Sequence, residues 1–233
     1  MNSPNQSLGR VRVKICGVTN AEDAEQAIAA GADALGFNLF PGSRRYLDLQ
    51  SAASWITALP PFVARVAVLV NAPLEEARQI AAHPAFDLVQ FHGDEDADYC
   101  AAFAETGHPF IKAVRLKDRS SFEQLHTFST TRILLDACAG QAYGGTGTLI
   151  DLPLAAECAR AYPELDLLLA GGLRVENVAE AVRQVQPFAV DVASGVEDAA
   201  DSRRKDAAQI ATFIAEATAH PRIRRADLSL GQM

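Results

Sequence analysis

Residues 11–31, VRVKICGVTNAEDAEQAIAAG, compress a strand, a turn and a helix into one unit. Val11–Cys16 is short and rich in β-branched residues, the composition of a strand. Asn20 is placed to cap a helix, with Asp23 three residues on. Ala24, Ala27 and Ile28 fall on one helical face, and Gly31 is placed to end it.

The unit recurs. Apolar runs follow at 34–40 (ALGFNLF), 66–70 (VAVLV), 87–92 (DLVQFH), 110–116 (FIKAVRL), 132–137 (RILLDA), 166–172 (DLLLAGG) and 189–194 (AVDVAS). They largely lack polar alternation, as strands covered on both faces do. Helical stripes intervene: Ala52, Trp55, Ile56 and Leu59 before Pro60-Pro61, then Val178, Ala181, Val182 and Val185, then Ile210, Phe213, Ile214 and Ala217. Strand followed by helix, eight times over, predicts an α/β fold with a single closed (β/α)₈ TIM barrel. A doubly wound open sheet is the alternative, but it leaves two or three units unexplained.

No linker divides the chain. The expected organisation is a disordered amino-terminal extension over 1–9, the barrel over 10–219 and a polar tail over 220–233, where Arg222, Arg224 and Arg225 read as solvated surface. At 233 residues and 49% hydrophobic, the sequence can bury a large core in one domain. A net charge of -8 argues against a general nucleic-acid binder. No secretory signal is evident and no apolar run approaches the ~18 residues that cross a bilayer, so a soluble cytoplasmic protein is expected, with no membrane partner. Monomer and homodimer both stay open. The scattered Cys16, Cys100, Cys138 and Cys158 form no Cys-x-x-Cys pair and have no matching His-x-x-x-His, which disfavours disulfides and zinc. Packing and chemistry remain as readings of Cys16.

In such a barrel, active sites gather at the carboxyl ends of the strands. Cys16 ends the first strand and Asp136 the sixth. A buried cysteine by itself is a small hydrophobe; Asp136 is more informative, because a lone carboxylate closing Ile133-Leu134-Leu135 is costly to bury unless paired or used, or capping a loop amide. Gly171-Gly172 after strand seven and Ser194-Gly195 after strand eight could bring backbone N–H groups to a phosphate. Tyr143–Gly147 (YGGTG) is either a loop over the site or a surface turn. In the strand-two loop a guanidinium could clamp a substrate carboxylate, but spacing does not choose between Arg44 and Arg45. His92 ends strand four and reads as a structural histidine facing the same mouth.

Taken in order, Lys14–Thr19 (KICGVT), Gly31–Phe37 (GADALGF), Ser43–Tyr46 (SRRY), Gln90–Glu95 (QFHGDE), Leu135-Asp136 with Gly144–Gly147, Gly171–Leu173 with Glu176–Val178, and Val190–Glu197 (VDVASGVE) with Lys205-Asp206 resemble the phosphoribosylanthranilate isomerase family. The resemblance implies a TIM-barrel isomerase of tryptophan biosynthesis with a small phosphorylated substrate, no cofactor and no metal. It implies Cys16 as general base, Asp136 as general acid and Arg45 as the clamp on the anthranilate carboxylate. The expected phosphate contacts are Gly171, Gly172, Ser194 and Gly195. A thiol base needs its pKa brought toward neutrality, and Lys14, pointing the same way along the strand, is positioned to help. Asp136 has to hold a proton, which calls for a desolvated or negatively charged setting. Departures occur at Ala170, Arg174-Val175, Ile150 with Leu152, and Asp201–Arg204, where the family often has Ser, Asn-Pro, Phe with Trp, and a Pro-Gly; the last leaves the cap of the final helix open. Rival readings are another enzyme on this scaffold, such as a phosphosugar epimerase or a thiamin-phosphate synthase, and a catalytically silent barrel that binds a phosphorylated metabolite.

Overall fold

Eight parallel strands, β1 (Arg12–Cys16), β2 (Ala34–Asn38), β3 (Ala64–Leu69), β4 (Leu88–Phe91), β5 (Phe110–Leu116), β6 (Arg132–Ala137), β7 (Asp166–Leu169) and β8 (Ala189–Val192), close into a barrel in sequence order. The computed structural model describes residues 9–137 and 149–219. The barrel is sealed where β1 pairs with β8, in a register that sets Lys14 beside Asp191. The expected closed barrel is therefore present, and the open sheet is excluded.

Helices α1 (Ala21–Ala29), α2 (Leu49–Thr57), α3 (Leu74–Ala81), α4 (Ala97–Ala104), α5 (Leu152–Ala161), α6 (Val175–Val185) and α7 (Ala207–Thr218) surround the strands. Their boundaries follow local chemistry. Asn20 accepts from the Asp23 N–H to start α1, and Gly31, at φ +100°, lies just past its end. All four stripe residues of α6 and all four of α7 are buried. The last helix does have a cap: Asp206 accepts from the N–H groups of Ala208 and Gln209.

One unit departs from the expected alternation. Between β5 and β6 the chain makes two short 3-10 turns, Arg119–Phe122 and Leu125–Phe128, in place of an α-helix. This segment is rich in serine and threonine, which bond the backbone locally and compete with helix. Ser121 Oγ accepts from the N–H groups of Lys117 and Asp118, and Thr127 Oγ1 donates to Gln124 O. Only Phe122 and Leu125 of these turns are buried.

Inside the barrel, Val66, Ile111, Ala113, Leu134, Leu168, Ala170 and Ala189 form an apolar layer. Ala170 thus replaces a hydroxyl at a position that packs inward. The period of two along each strand carries the same inward face onward to Lys14, Gln90, Asp136 and Asp191, all buried. The apolar layer supports the barrel, and these polar side chains furnish its mouth.

Candidate active site

Cys16 ends β1 and is partly exposed at the mouth. Lys14, two residues earlier on the same face, lies beside the thiol over Gly36 and donates at 2.7 Å to Asp191 of β8. Burial disfavours the Lys14 charge, but Asp191 and the sulfur outweigh it and hold the ammonium at about 12. The thiol moves the other way from expectation. Burial pushes Cys16 up; Lys14 pulls against it, and Asp191 cancels part of that pull. Lys14 is thus next to the sulfur as anticipated, yet its counter-ion blunts the effect.

Asp136 lies at the end of β6, separated from β1 by β7 and β8 around the ring. Its Oδ1 accepts from the Ala137 N–H at 2.8 Å, and its Oδ2 stands 3.1 Å from His92 Nε2. His92 Nδ1 in turn lies 2.8 Å from Gln90 Nε2, and Gln90 Oε1 is buried without a partner. Whichever end of the Gln90 amide meets Nδ1 selects the ring tautomer, and hence whether Nε2 donates to Asp136 or accepts from it. The neighbours of Asp136 are thus an imidazole and a backbone amide, and the residue is buried; of the desolvated or negatively charged setting expected, the first is present. Gly171, at φ +86°, belongs to the same corner: a β-carbon there would stand 2.5 Å from the Ala137 nitrogen and 3.0 Å from Asp136 Oδ1. This glycine is needed to bring the end of β7 against the acid, a reason separate from phosphate binding.

The loop after β2 brings Arg45 across the front of β1. Gly17, at φ +74°, lies directly under it, and a β-carbon at Gly17 would collide with Arg45 Cδ. Arg45 Nε donates to Glu197 Oε1 at 2.5 Å, while Nη2 is buried and unpartnered. Arg44, whose side chain is 51% exposed against 9% for Arg45, reaches the other oxygen of Glu197. Of the two arginines, Arg45 is thus the buried one. Lys205 completes the cluster, 3.6 Å from Glu197 and donating to Ala193 O at 2.9 Å. Burial brings it down to about 8, against the pull of Glu197.

Gly171 and Gly172 follow β7, and Ser194 and Gly195 lie in a 3-10 turn, Ser194–Val196, after β8. The backbone of Leu173 and Arg174 runs against Gly195, so the two loops lie side by side. Asn177 bonds Gly172 O and the Arg174 N–H, tying the β7 loop to the start of α6. The glycine cluster Tyr143–Gly147, Cys138, residues 1–8 and the tail from 220 lie outside the described residues.

Gln90, Asp191 and Glu197 were not singled out from the sequence as site residues. Asp191 carried the same signal as Asp136, a lone carboxylate in an apolar strand. Glu197 carried none beyond its place in the VDVASGVE stretch. Among the described residues, no group of three or more His, Cys, Asp or Glu side chains is arranged to hold a metal, and no helix is long and apolar enough to cross a membrane. The mouth accordingly offers a thiol beside an ammonium, a carboxyl beside an imidazole, and one buried guanidinium edge in need of an anion.

A model of the family described as N-(5'phosphoribosyl)anthranilate (PRA) isomerase matches residues 13–216. The chain is 44% identical over 209 residues to the N-(5'-phosphoribosyl)anthranilate isomerase of Geobacter metallireducens, covering 90% of this chain and 100% of the relative. It also resembles the crystal structure of phosphoribosyl anthranilate isomerase from Thermotoga maritima, with a TM-score of 0.80 at 40% identity over 90% of this chain and 100% of that one. A phosphoribosyl anthranilate isomerase solved in complex with reduced 1-(o-carboxyphenylamino)-1-deoxyribulose 5-phosphate matches with a TM-score of 0.77 at 39% identity, again over 90% of this chain and 100% of that one.

Proposed function

The chain belongs to the N-(5'-phosphoribosyl)anthranilate isomerase family, and we propose that Cys16 and Asp136 divide the proton transfers of its reaction between them. The protein is an isomerase that turns N-(5'-phosphoribosyl)anthranilate into 1-(2-carboxyphenylamino)-1-deoxyribulose 5-phosphate, an Amadori rearrangement in tryptophan biosynthesis.

The chemistry calls for an acid and a base at different atoms of the sugar. Asp136 delivers a proton to the furanose ring oxygen as the C1'–O bond breaks, leaving an open-chain Schiff base with a cationic nitrogen. Cys16, as thiolate, takes the proton from C2', and the electron pair moves into C1'–C2' to neutralise that nitrogen. The resulting enolamine loses its hydroxyl proton and gains one at C1', giving the ketone. A sulfur beside the Lys14 ammonium has a partner for its negative charge once the proton leaves. An acid bonded to His92 has a partner able to accept or donate as its proton moves.

The observation that carries this reading is that the thiol and the carboxyl end two strands, β1 and β6, that stand three apart around the ring, on the inward face of one mouth. The substrate carboxylate is assigned to Arg45, whose Nη2 is buried without a partner. The phosphate is assigned to the paired loops at Gly171-Gly172 and Ser194-Gly195. Loss of substrate fluorescence on adding the purified protein tests the proposal. Rapid loss with the native chain, and near-absence with well-folded Cys16→Ala and Asp136→Asn, is the expected result. Turnover by either variant at native rate removes that residue from the chemistry.

A further inference from the structure

Two arginines compete for the role of anion clamp, and one carboxylate separates them. Glu197 follows β8, far from both in sequence, yet its side chain is 7% exposed and meets three cations: Arg44 at Oε2, and Arg45 and Lys205 at Oε1. It engages Arg44 end-on through Nη2 but holds Arg45 through Nε, so the outer edge of Arg45 is left with Nη2 unpartnered. The loop that bears Glu197 is itself anchored: Glu197 bridges to Lys205, the Asp206 N–H donates to Val196 O, and the Asp198 N–H to Arg204 O. On the opposite side, Arg203 donates to the carbonyls of Arg44 and Tyr46, at 3.3 Å each. Both ends of the Arg45–Glu197 contact therefore rest on the segment that leads into α7.

Charge alone would not produce this arrangement. Arg45 and Lys205 are both buried and of like sign, and without a carboxylate between them each disfavours the other. A long guanidinium with no fixed partner also loses much of its rotamer freedom on binding an anion. Gly17 supplies the floor for Arg45 and Glu197 the wall.

We propose that Glu197 is a positioning residue for substrate recognition, holding Arg45 by its Nε so that Nη2 is preset for the carboxylate of the aromatic ring. The inference rests on the assignment of that carboxylate to Arg45. Glu197 makes no contact with the sugar in this scheme, so its effect falls on binding and not on proton transfer.

Steady-state kinetics of Glu197→Gln, Arg45→Ala and the double variant test it, with N-(5'-phosphoribosyl)anthranilate and with the aniline analogue that lacks the ring carboxylate. The isosteric glutamine keeps an acceptor for Nε but removes the charge, and thermal melting checks that the fold persists. Glu197→Gln is expected to raise KM for the natural substrate about tenfold with kcat within about twofold. It should leave the analogue unaffected and add nothing in the Arg45→Ala background. Glu197→Asp, which restores the charge on a shorter arm, should recover part of the loss. Equal effects on both substrates, a fall in kcat alone, or an undiminished effect in the Arg45→Ala background would overturn the proposal and leave Glu197 a structural residue. If Glu197→Gln changes nothing while Arg45→Ala raises KM, the positioning role fails and the clamp survives; if Arg45→Ala also changes nothing, both fall.

Discussion

The two sides of the mouth are built differently. On the β1, β2 and β8 side, Lys14, Asp191, Arg45, Glu197 and Lys205 are all buried or nearly so and bound to one another in fixed ion pairs. On the β4 and β6 side, the Asp136 carboxyl leans on an imidazole, which leans on an amide, and the buried Lys112–Glu95 ion pair nearby is bonded to neither Asp136 nor His92. The first side holds charge in place, so its charges offset and burial decides the state of the thiol. On the second side hydrogen-bond direction is the variable, and a tautomer can change there without any charge leaving the site.

The largest expected effect strikes both sides alike. Cys16→Ala and Asp136→Asn should each lower kcat by about 10³-fold, the worth of a general acid or base. Fluorescence-detected turnover measures it, and a variant within tenfold of the parent would mean that its side supplies no proton transfer.

The fixed-charge side should be distinguished next by stability. Lys14→Met leaves Asp191 buried without its cation, which should cost about 3–5 kcal/mol in denaturant unfolding. Adding Asp191→Leu should recover most of it, because the pair is then replaced as a unit. A stable single variant would show that Asp191 finds water instead.

A smaller effect is read from pH. In the proposed scheme Cys16 acts as the thiolate, and burial raises the thiol, so the thiolate fraction grows with pH throughout the range below that raised value. The base limb of kcat/KM should therefore still be climbing above pH 8, by up to about tenfold per unit. A plateau already reached at pH 7 would mean that Lys14 outweighs burial, and the contrast between the two sides would narrow.

The smallest effect belongs to the tautomer. His92→Asn should lower kcat about fivefold with KM little changed, the value of one ordinary hydrogen bond, about 1 kcal/mol. An unchanged kcat would return His92 to a structural role.

Much of the architecture was legible in the chain because it is local. Apolar runs such as Ile133–Leu135, the Asn20 cap and the α6 stripe are each decided within a few residues, and each behaves as expected. The helix missing between β5 and β6 was the exception, because serine and threonine side chains there bond the backbone that a helix would use. Cys16 and Asp136 could be found because polar residues ending apolar strands stand out against their surroundings.

What the residues by themselves determined was thus the barrel and the family resemblance, and they pointed to the strand ends to which the chemistry is here assigned. Only the closed tertiary structure decided which groups meet. Lys14 finds Asp191 across the β1–β8 seam, 177 positions away, and Arg45 finds Glu197 at a separation of 152. Those pairings depend on barrel closure and on which side chains it buries, and neither is written in a local period. The same closure raised the thiol that the sequence suggested Lys14 would lower, because it placed a counter-ion beside the lysine and shut most of the water out.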